Sequence, residues 1–410
     1  MLTPGGARAV ARCRMLARAP YSDIDGGLFR AYLTPAYRAA QAELRGWMEA
    51  AGMTVREDEA ANLVGRYEGS EAEVPALVIG SHLDSVYDGG CFDGPLGVML
   101  GVELVARLAA EGRRLPFPIE VYAFGDEEGS RFPRAMLTSR AVAGILDPAD
   151  LALTDDAGIS LADEGIDIGR FALAARAPGS TLAYFEAHIE QGPLLEAEDR
   201  AVGTVTGIVS QRRYRLTVTG TAGHAGTVPM RHRRDALAGA AEMILAIERH
   251  AREQQADLVA TVGQVAARPG ATNVIPGLAQ FTLDIRSLDE ALRNRRCEAI
   301  LADCRAIAQA RRLGLEAELM LDLPASPCDR ALMQLLDQSL VDNGQSLRRM
   351  VSGAGHDAMN FVDHCPVAML FIRCTGGISH NPAEDVTGED AEVALKVMRS
   401  FVEKLGDSLV

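Results

Sequence analysis

Two short apolar runs that end in polar residues constrain the fold of this 410-residue chain more than any other feature. Residues 76–84 read Ala-Leu-Val-Ile-Gly-Ser-His-Leu-Asp, and residues 119–125 read Ile-Glu-Val-Tyr-Ala-Phe-Gly. Runs this short and this rich in β-branched and aromatic residues favour buried strands. A helical pattern over residues 97–111 lies between them, and such alternation is typical of a doubly wound α/β sheet.

Candidate catalytic residues stand where these two strands end. His82 and Asp84 close the first run, and Glu127 and Glu128 follow the second. Open α/β sheets bind ligands outside the carboxyl ends of their strands. We therefore expect these side chains to line a site.

The sequence pattern changes near residue 207 and returns after residue 323. The stretch between predicts a strand, a helix, two strands, a helix and a strand, over residues 213–220, 234–252, 258–265, 279–285, 289–310 and 315–321. This is the split βαβ order of a ferredoxin-like α+β domain. A chain of this length also exceeds the size at which one core usually stops growing.

We therefore predict two domains. The α/β catalytic domain comprises residues 1–207 and 323–410, and residues 208–322 form an inserted α+β domain. In the last part, a helix over residues 330–342, a strand over residues 367–372 and a helix over residues 389–405 resume the α/β pattern.

Charge and cysteine content exclude several classes of function. The net charge of −15, from 41 Lys and Arg against 56 Asp and Glu, argues against nucleic-acid and anionic-membrane partners. Seven scattered cysteines without a Cys-x-x-Cys pair favour a reducing compartment, so we expect a cytoplasmic protein. The first twenty residues lack the apolar segment of a targeting peptide, and we predict an amphipathic helix there.

The strongest local motif is His82-Leu-Asp84, which is followed by Asp93 in Phe-Asp-Gly. Neutral imidazole together with carboxylate suits zinc, manganese or cobalt. Taken alone, a capping or salt-bridged pair explains a His-x-Asp spacing better. The metal interpretation therefore needs further ligands.

One source of ligands is Gly125-Asp126-Glu127-Glu128-Gly129, with three consecutive carboxylates. Like charges this close are costly unless a cation neutralises them or one keeps a proton. A solvated acidic turn is the alternative. Beside a metal, one carboxylate can be a ligand while its neighbour acts as general base.

Two histidines extend this set. His188 stands in Glu-Ala-His-Ile-Glu-Gln-Gly-Pro, and His380 in Gly-Gly-Ile-Ser-His-Asn-Pro. A lone histidine is more often structural. The chain has only eight, however, and three of them fall beside Gly-rich turns or strand ends together with acids. This coincidence favours a metal centre.

The order of motifs along the chain resembles the dimetal M20 peptidase superfamily. Within it, the chain is most similar to the branch of N-carbamoyl-L-amino acid hydrolases, allantoate amidohydrolases and ureidoglycolate hydrolases. The motifs that carry the resemblance are GSHLDS, FDGPLGV, FGDEEGSRF, HIEQGP, GHAGTVPM, ATNVIPG, DIRS, SGAGHDAM and GGISHNP. They cover nearly the whole chain.

The resemblance implies two divalent metal ions per subunit, which could be zinc, manganese or cobalt. Their ligands would be His82 and His188 for one ion, Glu128 and His380 for the other, and Asp93 as the bridge. Asp84 would orient the His82 ring, and Glu127 would be the general base. The histidine at position 188, where related peptidases use a carboxylate, favours the ureido branch.

The resemblance also implies substrate contacts and a partner. His224 would stabilise the oxyanion in the active site of the other subunit of a homodimer, which forms through the inserted domain. Asn273 and Arg286 would hold the substrate, with Arg286 as a clamp on a carboxylate. Further contacts fall on Gln191, Arg213 and Gly355, and His356 is either a contact or structural. On the residues alone, His224 would be a surface-loop histidine and Arg286 a strand-end charge.

The expected substrate is a small anionic ureido or carbamoyl compound. Residues 64–69, 115–121 and 124–133 look more like allantoate amidohydrolases than carbamoylases, so allantoate is the preferred substrate. The alternatives are an N-carbamoyl-L-amino acid, a dipeptide, or no substrate at all if the chain is an idle metal-binding dimer. The intact Glu127 argues against the last.

Overall fold

The computed structural model describes residues 4–253 and 258–409. The chain divides into two compact units, one formed by Met1–Thr206 with Pro327–Val410 and the other by Gly207–Ser326. Among the described residues, the helices are α1 (Gly5–Met15), α2 (Pro35–Ala50), α3 (Pro95–Ala110), α4 (Leu137–Val142), α5 (Ile168–Phe171), α6 (Leu194–Ala197), α7 (Ala236–Arg252), α8 (Glu290–Ala310), α9 (Arg330–Asp342) and α10 (Gly388–Asp407).

The strands are described in the same chain order. They are β1 (Thr54–Glu57), β2 (Leu63–Tyr67), β3 (Ala76–His82), β4 (Ile119–Phe124), β5 (Thr181–Ile189), β6 (Val202–Ile208), β7 (Ser210–Thr219), β8 (Gly223–His224), β9 (Val259–Thr261), β10 (Val265–Arg268), β11 (Val274–Ile275), β12 (Leu278–Ser287), β13 (Gly314–Leu323), β14 (Ser326–Pro327), β15 (Arg349–Ser352) and β16 (Val367–Ile372).

The sheet of the first unit has the strand order β1-β2-β4-β3-β5-β16-β6-β14, and β15 also pairs with β6. Its central strands β4, β3, β5 and β16 run parallel. The flanking strands β2 and β6 run antiparallel to their neighbours β4 and β16. The predicted α/β class is confirmed, with antiparallel strands added on both sides of the parallel centre.

Both faces of the central sheet are covered, which explains the uninterrupted apolar runs. In β5, Tyr184 stacks on Phe361 at a ring-centroid distance of 4.2 Å, whereas its neighbour Phe185 stacks on Phe401 of α10 at 4.9 Å. Successive strand residues point to opposite faces. The two aromatic contacts therefore belong to two separate cores, one on each side of the sheet.

The helices begin where local chemistry favours a start. The Thr387 side chain accepts a hydrogen bond from the Asp390 amide at the start of α10, and α3 has Pro95 in its first turn. The predicted N-terminal amphipathic helix is confirmed as α1. No helix in the described part of the chain is both long enough and apolar enough to cross a membrane.

The second unit contains a five-stranded antiparallel sheet in which β10, β12, β7 and β13 are neighbours and β9 also pairs with β12. Its core joins this sheet to α7 and α8 through buried residues such as Leu216, Met243, Leu283 and Ile300. The predicted strand over residues 258–265 is instead two pieces, β9 and β10. Three residues lie between Thr261 and Val265, but only two lie between their partners Asp284 and Phe281 on β12, and this extra residue interrupts the pairing.

Candidate active site

The chemically active side chains of the first unit lie at the carboxyl ends of its four parallel strands. His82 is the last residue of β3, and His188 is near the end of β5. Glu127 and Glu128 follow β4, and His380 follows β16. Because these strands are parallel neighbours, their carboxyl ends lie at one edge of the sheet.

Asp93 lies at the centre of this group. Its Oδ1 is 3.2 Å from His188 Nε2 and 3.6 Å from His82 Nε2. Its Oδ2 is 3.3 Å from His380 Nε2, which is also 3.4 Å from Glu128 Oε1. The ligand atoms therefore form two groups that share Asp93, and within each group they lie within 4.8 Å of one another.

Hydrogen bonds of the buried imidazoles indicate which ring nitrogen faces the carboxylate. His82 Nδ1 is 3.0 Å from the main-chain oxygen of Asp84, and His188 Nδ1 is 2.9 Å from that of Ile189. A carbonyl oxygen only accepts, so Nδ1 carries the proton and Nε2 of the neutral ring directs a lone pair at Asp93.

The lone pair on Nε2 and the negative Asp93 carboxylate repel each other unless a positive species lies between them. Burial favours the neutral form of His82, but the carboxylates of Asp93, Glu127 and Asp84 outweigh it and raise the pKa of the ring well above its usual value. Either a proton or a cation can satisfy this arrangement. Imidazole and carboxylate donors at these separations fit divalent metal ions.

Gly94 makes the close approach of Asp93 to the histidines possible. It has φ 83°, a conformation that other residues rarely adopt, and a Cβ at this position would lie 2.5 Å from the His82 ring. No side chain fits there without moving His82. The glycine of Phe-Asp-Gly is therefore a requirement of the site.

Asp84 contacts the site through both its main chain and its side chain. Its main-chain oxygen, rather than its carboxylate, is the hydrogen-bond acceptor for His82, since the carboxylate oxygen is 3.7 Å from Nδ1. The carboxylate instead accepts the main-chain amides of Glu127 and Glu128, both at 3.2 Å. It therefore holds the acidic turn against the end of β3.

The three consecutive acids divide into different environments. Asp126 has φ 54° and accepts the amides of Arg131 at 3.2 Å and Phe132 at 3.1 Å, so it stabilises the following loop. Glu127 is buried, and its Oε2 lies 4.0 Å from His82 Nε2. Burial raises the pKa of Glu127 well above its usual value, and the charge of Glu128 adds to the effect.

Three residues of this site have a left-handed backbone conformation. Asp126, Gln191 and His380 have φ values of 54°, 56° and 53°. Non-glycine residues rarely adopt positive φ, and such residues cluster at functional sites. The fold therefore holds these three side chains in positions that relaxed loops would not give.

Three further residues hold Asp93 in position. The sequence analysis identified one of them, Gln191, but as a substrate contact. Gln191 Nε2 and Ser379 Oγ donate to Asp93 Oδ2 at 2.8 and 2.6 Å. The buried Glu384 accepts the amides of Phe92 at 2.8 Å and Asp93 at 3.1 Å. Glu384 is 291 positions away from Asp93, and no sequence spacing indicates such a contact.

A buried arginine holds the loop that follows β3, which sequence reasoning also missed. Arg30 is fully buried and donates from Nε to the main-chain oxygen of Leu83 at 2.6 Å. Its own amide donates to Ser85 Oγ at 3.0 Å. Both residues flank Asp84, so Arg30 fixes the segment from which Asp84 contacts the acidic turn.

Gly355 and His356 lie close to the histidines of this group. His356 packs edge to face on His188 with ring centroids 4.4 Å apart, and its Nε2 is 2.8 Å from Ser352 Oγ. A Cβ on Gly355 would contact the methyl group of Met136 at 2.8 Å. These contacts fix the His356 ring beside His188.

The remaining candidate residues lie in two places in the second unit. They are His224, Asn273, Arg213 and Arg286. His224 in β8 pairs with Val274 in β11, and the Ala225 amide donates to the main-chain oxygen of Asn273 at 2.9 Å. His224 is exposed, and its Nδ1 accepts the Gly226 amide at 3.0 Å. The proton of the neutral ring is therefore on Nε2, which is a hydrogen-bond donor.

The second place is the pair of neighbouring strands β7 and β12. Arg213 and Arg286 both contact the Asp284 carboxylate, with donor–acceptor distances of 2.9 to 3.0 Å. The two candidate substrate contacts thus share one counter-ion, which sequence reasoning did not identify.

Known proteins match the chain along most of its length. The family model described as peptidase family M20/M25/M40 matches residues 78–404. An N-carbamoyl-L-amino acid amidohydrolase of Geobacillus stearothermophilus is 42% identical over 93% of this chain and 94% of its own length. Allantoate deiminase 2 of Glycine max is 38% identical over 97% of this chain and 89% of its own length.

Solved structures of related proteins are also similar to this chain. The crystal structure of an amidase of the hydantoinase/carbamoylase family from Burkholderia multivorans has a TM-score of 0.90 and 35% sequence identity, and the match covers 98% of both chains. The similarity therefore extends over both compact units.

Proposed function

The chain belongs to the peptidase family M20/M25/M40, and we propose that it is a two-metal amidohydrolase that cleaves a ureido C–N bond of allantoate, giving ureidoglycine, ammonia and carbon dioxide. Its relatives of nearly equal length, named amidohydrolases and deiminases, support hydrolysis of such non-peptide C–N bonds. The observation that carries the proposal is the group of three imidazoles and Glu128 around Asp93, with Glu127 beside it.

The metal ligands in this proposal are those of the two groups that share Asp93. His82 and His188 would hold one ion, Glu128 and His380 the other, and Asp93 would bridge them. Divalent ions bound there would polarise the carbamoyl oxygen and lower the pKa of water toward neutrality. Zinc, manganese and cobalt all accept imidazole and carboxylate ligands.

Glu127 moves the proton in this proposal. Its carboxylate lies beside the ligand group but is not needed as a ligand, so it can take a proton from the attacking water. It then returns the proton to the departing nitrogen. Asp84 keeps Glu127 in place through the main-chain hydrogen bond at 3.2 Å. The released carbamate decomposes to ammonia and carbon dioxide.

His224 would stabilise the negative charge that develops on the carbamoyl oxygen. Its Nε2 is a donor because Nδ1 accepts the Gly226 amide, and a fixed donor is what an oxyanion requires. We propose that it serves the active site of the other subunit in a homodimer formed through the second unit.

Arg286 and Asn273 would hold the substrate carboxylate, with Arg213, Gln191 and Gly355 as further contacts. For Gln191, the hydrogen bond to Asp93 supports a position next to both the metal ions and the substrate. Seven cysteines without a disulfide support the cytoplasm as the location of the enzyme.

An N-carbamoyl-L-amino acid is the second candidate substrate. The 42% identity to the amidohydrolase of Geobacillus stearothermophilus favours it, and its carboxylate would contact the same arginine. The organic product formed from allantoate, from several N-carbamoyl-L-amino acids and from dipeptides, each supplied alone and then in competition, separates these candidates. Metal-loaded protein that hydrolyses none of these compounds would contradict the proposal and favour a binding protein.

A further inference from the structure

Four polar side chains meet on one face of the sheet in the second unit. Strand register places Asp284 opposite Arg213 and Arg286 opposite Gln211. The adjacent residues Leu283 and Ile285 belong to the core under α7 and α8, so the four polar side chains lie on the opposite face of the sheet.

The Asp284 carboxylate is the acceptor for all three of the other side chains. Arg286 binds it through two atoms, with Nε to Oδ1 at 2.9 Å and Nη2 to Oδ2 at 3.0 Å. Oδ2 also accepts Arg213 Nε at 2.9 Å and Gln211 Nε2 at 2.7 Å. Burial opposes the charged form of Asp284, but these donors outweigh it and lower the pKa of the carboxyl group.

A two-point contact fixes a guanidinium more strictly than a single hydrogen bond. The group is planar, so occupying its Nε–Nη2 edge sets the plane of the group and the direction of its remaining edge. The Arg286 side chain is 27% exposed, and Asp284 is 22% exposed. The orientation of Arg286 is therefore set by a partly buried carboxylate rather than by solvent.

The charges of this group also indicate a ligand class. The charged side chains of this group are two guanidinium groups and one carboxylate, in a chain whose net charge is −15. A planar guanidinium matches the geometry of a carboxylate, which a small anionic ligand can supply. The group therefore fits an anionic substrate with a carboxylate.

We propose that Asp284 is a positioning residue for substrate binding, which directs the Arg286 guanidinium toward the substrate carboxylate, assisted by Gln211 and Arg213. The inference rests on the proposed function, since it assumes that Arg286 binds the substrate. It makes Asp284 a determinant of specificity for carboxylate-bearing ureido compounds.

The alternative is that Asp284 competes with the substrate for Arg286, and the two possibilities predict opposite results for Asp284→Asn. Asparagine keeps the size of the side chain but cannot accept both guanidinium bonds. If Asp284 positions Arg286, KM for the carboxylate substrate rises about tenfold, because this factor corresponds to the free energy of about one charge-assisted hydrogen bond. In that case kcat changes less than about twofold. If Asp284 competes, KM falls.

A double-mutant cycle tests whether Asp284 acts through Arg286. Steady-state kinetics of the metal-loaded protein on allantoate and N-carbamoyl-L-alanine would compare the parent, Asp284→Asn, Arg286→Ala and the double variant. Positioning predicts that the double variant has the same KM as Arg286→Ala alone. Additive effects of the two substitutions would overturn the inference.

Asp322 provides a matched control on the same sheet. It also lies between two arginines, with Arg212 at 2.8 Å and Arg293 at 2.9 Å. Asp322→Asn should leave KM unchanged, with circular dichroism confirming that each variant is folded. An unchanged or lower KM in a folded Asp284→Asn would overturn the inference alone, whereas a parent protein that hydrolyses neither substrate would overturn the proposed function as well.

Discussion

The Asp84 carboxylate accepts the main-chain amide of Glu127 at 3.2 Å, so the loop after β3 fixes the turn after β4. The main-chain oxygen of the same residue accepts His82 Nδ1 at 3.0 Å. One residue therefore orients a proposed metal ligand and the proposed general base at the same time. Its two contacts use different atoms, and substitution can separate them.

Asp84→Asn should impair catalysis more than folding. The main-chain contact to His82 remains, but the amide nitrogen of asparagine cannot accept the Glu128 amide, so the acidic turn is less firmly held. Substitution of a residue that holds metal ligands in place typically lowers activity or metal affinity by about 10- to 100-fold. Kinetics and metal titration measure this loss.

Asp329→Asn is the control for that substitution, because Asp329 also accepts two main-chain amides, those of Ala331 and Leu332, both at 2.9 Å. Its activity should stay at the parental level. Equal activity of Asp84→Asn and the parent would show that the two amide contacts of Asp84 are dispensable.

Glu127→Gln should keep metal and lose turnover. Glutamine fills the same space but cannot take a proton from water, and general acid–base catalysis contributes about 10²- to 10⁴-fold. Metal analysis of the purified variant and ammonia release from allantoate measure the two properties. Activity close to that of the parent would remove Glu127 as the base.

Arg286→Ala should mainly raise KM for carboxylate substrates, because it removes the proposed clamp and leaves Glu127 and the metal ligands intact. Arg215→Ala is a suitable control, since Arg215 lies on the neighbouring strand and pairs with Glu318 at 3.0 Å. Initial rates over a range of N-carbamoyl-L-alanine and allantoate concentrations give KM for each variant. An unchanged KM in Arg286→Ala would place the anion contact elsewhere.

The secondary structure was predictable because it depends on local pattern. Strand β16 was predicted over the same residues, 367–372, that the structure gives, and β4 differs by one residue. The position of His82 and Glu127 at strand ends followed from the same pattern, because parallel strands bring their carboxyl ends together. The ligand set and the base role came from family resemblance, not from pattern.

The supporting contacts were not predictable, because they join residues far apart in sequence or use main-chain atoms. Glu384 contacts the amide of Asp93 across 291 positions, and Asp84 contacts His82 through its main-chain oxygen. The register between β7 and β12 that places Asp284 opposite Arg213 exists only in the folded sheet.

Asp58→Asn should stabilise the protein at neutral pH. Burial raises the pKa of Asp58 to about 6, whereas the usual value is 3.8. A raised pKa means that the folded state binds the proton more tightly, so this group adds stability as pH falls from about 6 to about 4 and loses it as pH rises again. Asparagine removes this dependence. The Asn62 side-chain amide, whose Nδ2 donates to both Asp58 oxygens and whose buried Oδ1 has no hydrogen-bond partner, can rotate so that Oδ1 accepts from the new amide.

Urea unfolding of both proteins at pH 7 and pH 5 measures the effect. The stability advantage of Asp58→Asn over the parent should shrink by about 1 kcal/mol at the lower pH, because one pKa unit corresponds to about 1.4 kcal/mol. The same advantage at both pH values would contradict a raised pKa for Asp58.

Two metal ions, held around Asp93, are required in our proposal for hydrolysis of a ureido substrate. The most direct test is the rate of ammonia release from allantoate as zinc, manganese or cobalt is added back to chelator-treated protein. The rate should start near zero and reach a plateau at two equivalents of metal per chain. A metal-free protein that retains its full rate would contradict the proposed role of the metal ions. A folded protein that stays inactive on allantoate and N-carbamoyl-L-amino acids at every metal concentration would contradict the proposed function.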